Sequence, residues 1–86
     1  MISGAQIRAA RALLGLSGTE LSELAEVGWS TVQRFESSEQ VPSSKAGTLE
    51  RIQAVLEARG IVFLGDPVST PGVQLKRPQS IEEPAP

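Results

Sequence analysis

A chain of 86 residues, 40% hydrophobic and with a formal net charge of −2, describes one small domain. With neither cysteine nor histidine it has no disulfide framework and no thiolate metal site, and it lacks the commonest general base and transition-metal ligand. An enzyme is therefore not expected, no cofactor is implied, and the mild acidity leaves polyanion binding to the placement of charge rather than its sum. A core this small hides only about 60% of the surface of its unfolded chain, which makes a partner subunit useful. No apolar run approaches the roughly 18 residues that span a bilayer. Met1 to Gln6 lacks the basic-then-apolar order of a secretory signal, so a cytoplasmic protein with no membrane partner is expected.

Four short helices are legible in chain order. Ser3 with Gln6 forms a capping box, and Ile7, Ala10, Leu13 and Leu14 follow at helical spacing before Gly15, placing a first helix at about 4 to 14. Ser17 with Glu20 is a second box, and Leu21, Leu24 and Ala25 carry a helix from about 18 to 25. After a break at Glu26-Val27-Gly28, a third helix occupies about 29 to 37 with Val32 and Phe35 inward. Its cap is either Gly28 or Ser30, which makes a box with Gln33. Residues 37–42 are loop, and a fourth helix from near Ser44 to Gly60 shows Leu49, Ile52, Val55 and Leu56 on one face.

The period then changes. Ile61-Val62-Phe63-Leu64 is a continuous apolar run and Val73 to Lys76 alternates, which reads as a β-hairpin with a long loop between. The first strand is apolar on both faces, so Ile61, Val62, Phe63 and Leu64 form a dimer seam or else the hairpin folds back on the first and fourth helices. Residues 77–86, with three prolines and one large apolar side chain, Ile81, read as a flexible tail. The expected organisation is a helical domain over 1–60, a hairpin over 61–76 and that tail.

Two short helices joined by a three-residue break describe a helix-turn-helix. The stretch LSGTELSELAEVGWSTVQRFESSEQVP resembles the Cro/C1-type (XRE) helix-turn-helix family of bacterial and phage regulators, without gaps from Leu16 to Glu36. The apolar positions that carry the resemblance are Leu21, Ala25, Val27, Val32 and Phe35. It implies a mainly α, lambda-repressor-like fold that reads double-stranded DNA as a homodimer, with the third helix in the major groove. Three positions depart from the family pattern: Gly18 stands where a phosphate-contacting Gln is usual, Ser22 where Ala is usual, and Glu26 where the turn usually has Gly.

With Val32 and Phe35 inward, Trp29, Ser30, Thr31, Gln33 and Arg34 fall on the outward and N-terminal surface of the third helix. Gln33 suits adenine and Arg34 guanine, and Ser30 and Thr31 suit phosphate or base edges. Trp29 packs on a thymine methyl or sugar, caps the small core or meets a protein partner, and Thr19 lies near backbone phosphate or serves the helix cap. Ser37, Ser38, Gln40, Ser43 and Lys45 are further phosphate candidates. The resemblance also pairs Arg11 with Glu36 as a structural ion pair, leaving Arg8 solvated. The expected function is a dimeric transcriptional regulator; the alternative is an antitoxin or adaptor that uses the same fold to dock on a protein such as a toxin or polymerase.

Overall fold

Each of the first two helices opens on a closed capping box. In the computed structural model, which describes residues 1–45 and 47–77, α1 spans Gly4–Leu14 and α2 spans Gly18–Ala25. The Oγ of Ser3 accepts from the Gln6 N–H while Gln6 Oε1 accepts from the Ser3 N–H, and Ser17 with Glu20 repeats the exchange. An apolar residue precedes each cap and another follows at the fourth helical position: Ile2 with Ile7, and Leu16 with Leu21. That spacing is the hydrophobic staple which accompanies such boxes. Ile2, overlooked as a core residue in the periodic pattern, is as fully buried as Ile7 and Leu21.

α2 ends at Glu26 in the left-handed region (φ 57°, ψ 46°), where its N–H and that of Val27 return to the carbonyls of Glu23 and Ser22. It is the one non-glycine residue with positive φ among those described, a conformation that costs a β-carbon-bearing residue about 1 kcal/mol. α3 spans Trp29–Glu36 with Gly28 as its N-cap and no capping side chain, so Ser30 and Gln33 lie inside the helix instead of forming a box. α4 spans Thr48–Ala58 and starts later than Ser44. The reason is Gly47, whose φ of 73° no α-helix can contain. Ser44 still takes part from outside, its Oγ accepting the Leu49 N–H at 3.4 Å.

The core joins all four helices and the hairpin around Phe35, with Ile7, Leu21, Val32, Ile52, Leu56 and Ile61 among its buried members. Leu13, expected inward, is 43% exposed; it points nearly the same way as the buried Gln6, at the edge of the buried face, but lies two turns further along, in the last turn of α1. Val55 is half-buried at the margin. Gly4 lets α1 approach the end of α3 closely, since a Cβ there would stand 2.1 Å from the carbonyl oxygens of both Phe35 and Ser38.

β1 (Ile61–Leu64) pairs antiparallel with β2 (Gly72–Leu75), one residue earlier than the alternation suggested, in the register Ile61↔Leu75 and Phe63↔Val73. Those four side chains pack on the helical core, and Ile61 is only 3% exposed. Ile61 and Phe63 are therefore not free to line a seam between subunits, because alternation along the strand turns them toward the chain's own core. Val62 and Leu64 remain on the open face, 36% and 43% exposed. One polar side chain ties the hairpin to α1: the buried Gln6, whose Nε2 donates to the carbonyls of Leu64 at 3.2 Å and Gly72 at 3.0 Å. Residues 78–86 of the expected tail lie outside the described residues. No helix among those described is long and apolar enough to cross a membrane.

Candidate nucleic-acid interface

α3 is held from behind at its C-terminal end. Arg11 Nε and one terminal nitrogen donate to the two carboxylate oxygens of Glu36 at 2.8 and 2.9 Å, and its other terminal nitrogen reaches the Leu16 carbonyl at 3.0 Å. A two-toothed contact of this kind fixes distance and rotation together, so it sets the angle of α3 against α1. Donating to the Glu36 carboxylate raises the already high pKa of Arg11 and keeps its guanidinium charged. Arg8, expected to be solvated, is also engaged: it donates to the Glu36 carbonyl and pairs with Glu39 at 3.2 Å. Both arginines of α1 are thus occupied in positioning α3 and its following loop.

What α3 turns outward follows from its buried positions. With Val32, Phe35 and Glu36 inward, Trp29, Ser30, Gln33 and Arg34 are exposed. Ser30, Gln33, Arg34 and Ser37 line one shallow concavity, although the Ser37 hydroxyl is turned back onto the carbonyls of Gln33 and Arg34. Trp29 is 49% exposed. Its indole lies against the first turn of α2, where a Cβ on Gly18 would stand 3.6 Å from Nε1. The space that a side chain at position 18 would enter is thus bordered by Trp29, with exposed Thr19 as the next residue.

Thr31 departs from the outward group. It is half-buried and belongs to a second feature, an open cleft of about 420 Å³ among the 26–28 turn, α3 and the start of α4. Arg34 lines both features, its guanidinium 5.0 Å from the centre of the Phe35 ring. Lys45 and Arg51 complete the basic lining of the cleft, with Ser43, Ser44 and Thr48 adding hydroxyls. The Ser38 hydroxyl, by contrast, is engaged with the backbone N–H and carbonyl of Gln40 in the loop turn.

Charge is sorted in space. Among the described residues the salt bridges are Arg8–Glu39 and Arg11–Glu36. Of the remaining basic side chains of residues 1–60, Arg34, Lys45 and Arg51 gather beside α3, and only Arg59 lies elsewhere. Arg51 was not picked out in the sequence, because it sits on α4 and only the tertiary fold brings it to α3. The one local signal was that it lies on the side of α4 away from Leu49, Ile52 and Leu56. The chain matches no protein-family model, and none of the curated proteins compared with it is a match.

Proposed function

We propose that this chain is a sequence-specific, DNA-binding transcriptional regulator in which α2, the 26–28 turn and α3 act as a helix-turn-helix of the Cro/C1-type. One observation carries the reading: in a chain of net charge −2, the three cations Arg34, Lys45 and Arg51 gather, free of salt bridges among the described residues, beside a helix whose outer strip is polar and exposed. Phosphate attraction supplies most of the affinity of such a surface, and base edges supply its specificity. In this reading α3 enters the major groove, Gln33 hydrogen-bonds adenine and Arg34 guanine, and Ser30 and Thr31 meet base edges or phosphate. Trp29 and Thr19, at the adjoining starts of α3 and α2, meet the sugar-phosphate backbone.

One helix reads about 4 base pairs, so useful specificity takes two copies on half-sites about 34 Å apart. The open face of the hairpin offers two large apolar side chains, Val62 and Leu64, well short of the roughly 800 Å² per partner of a stable interface. The homodimer therefore assembles on paired half-sites rather than persisting in dilute solution. A second reading, an adaptor that docks on a protein, is favoured by the exposure of Trp29 together with that of Leu24, which borders a groove with Val55 and Ala58.

The test is a titration against genome-wide DNA fragments across a salt series. Gln33→Ala and Arg34→Ala should each lose about 1–3 kcal/mol of specific binding with unchanged melting, and Lys45→Ala should weaken all sequences alike and lower the salt slope by about 1. Binding no tighter than to random DNA, and blind to Arg34, would sink the regulator reading in favour of the protein-docking one.

A further inference from the structure

The cleft beside α3 is chemically more specific than a basic flank. Its charged lining comprises three cations, Arg34, Lys45 and Arg51, and one acid, Glu26, a net of +2. None of the three cations forms a salt bridge among the described residues. Thr31 and Ser43 bring hydroxyls to the same space, and Val27 and Phe35 give it apolar lining as well. The first turns of α3 and α4 both border it, and that of α3 has no capping side chain; its partial positive charge adds to that of the cations.

We propose that this cleft binds a phosphoryl dianion carried by a small molecule, in competition with a phosphate of the DNA backbone. The charge of the lining balances a dianion. Two guanidinium groups offer paired N–H donors at fixed spacing, the geometry that suits phosphate oxygens, while Lys45 acts as a point charge and the hydroxyls saturate remaining lone pairs. The apolar lining accommodates the rest of a small phosphate ester, which a bare surface patch would not do. Competition arises because Arg34 borders both the outer concavity of α3 and the cleft: a ligand that holds its guanidinium against Phe35 withdraws it from a base edge. The competition rests on the DNA-binding reading; the anion site does not.

The probe is inorganic phosphate at mildly alkaline pH, where it is the dianion, exchanged for chloride at constant ionic strength and followed by NMR on the isotope-labelled full chain. The expected result is saturable shifts centred on the amides of Gly28, Thr31, Lys45 and Thr48. The midpoint should rise at least about tenfold in Arg51→Gln and stay unchanged in Arg59→Gln, with circular dichroism showing both variants folded. Shifts that grow linearly, or that chloride reproduces, overturn the site. At its midpoint concentration phosphate should weaken DNA binding about twofold, an effect absent in Arg51→Gln. Saturable phosphate binding that leaves DNA affinity untouched overturns the competition. Saturable phosphate binding by a chain with no affinity for DNA overturns the regulator reading and leaves the anion site standing. DNA binding without saturable phosphate binding overturns the site and returns the three cations to the DNA backbone alone.

Discussion

Replacing Gln6 by Leu removes the polar tie between α1 and the hairpin while nearly preserving side-chain volume. Gln6 is 2% exposed and makes three side-chain hydrogen bonds to backbone that the variant would lose: the Ser3 N–H into Oε1 at 3.1 Å, and Nε2 to the carbonyls of Leu64 and Gly72 at 3.2 and 3.0 Å. Each is worth roughly 0.5–1.5 kcal/mol net, and groups left unpartnered in a buried seam cost more than their share. The expected loss is about 3 kcal/mol, a large part of the 5–15 kcal/mol typical of a domain. At this chain length it corresponds to a fall in Tm of about 12–24 °C. Urea unfolding followed by far-ultraviolet circular dichroism measures the total, and hydrogen exchange of the β1 amides shows whether the hairpin loosens first. A loss under about 1 kcal/mol, or β1 amides as protected as in the wild type, would refute the assignment of Gln6 as the tie. Gln6→Glu supplies a pH signature. A carboxylate facing two carbonyl oxygens favours the neutral acid in the fold, which raises its pKa above the unfolded value of about 4.3. Its stability should therefore be fullest below that value and fall as pH rises through the folded pKa.

Glu36→Ala leaves the Arg11 guanidinium beside a cavity in a pair whose side chains are only 27% and 11% exposed; a loss of about 2–3 kcal/mol is expected from urea unfolding, and an unchanged midpoint would count against the pair as the fixture of α3. Glu26→Gly relieves the left-handed turn at φ 57° and should raise stability by about 0.5–1 kcal/mol. A drop in Tm would mean that the Glu26 side chain contributes more than its backbone costs. The N–H groups of Ser69 and then Val68 hold the exposed Asp66 carboxylate below its usual pKa. Its contribution to the hairpin loop should be present above the unfolded pKa of about 3.9 and vanish as pH falls through the lower folded value. The Val68 and Ser69 amide shifts should titrate together there, and in Asp66→Ala they should not titrate at all.

The helices were legible in the sequence where capping chemistry is local. Ser3-Gln6 and Ser17-Glu20 are exchanges within four residues, so α1 and α2 begin where the boxes place them. The break at Glu26-Val27-Gly28 was legible in the apolar spacing, whereas the left-handed position of Glu26 was implied only by the family resemblance. α4 was not placed correctly, because its start is set by Gly47 turning left-handed, and Ser43-Ser44 offers an equally good cap on paper. Periodicity identified most of the core but misjudged Leu13 at the edge of its stripe, and it overlooked Ile2, which lies before any helix begins.

Pairings across the fold could not be read from local pattern. Gln6 serves two structures at once, completing its own helix cap and tethering strands roughly sixty residues away; only the first role has a local signal. The doubly apolar strand left open whether its faces met a partner or the core, and packing divided them, with Ile61 and Phe63 inward and Val62 and Leu64 outward. Helical period gives most of what α3 turns outward, namely Trp29, Ser30, Gln33 and Arg34, but it also placed Thr31 there, which the fold half-buries in the neighbouring cleft. Which cations join α3, and which are already consumed by Glu36 and Glu39, is decided by the approach of α1 and α4 to α3, since an ion pair depends on distance through space and the sequence records only distance along the chain.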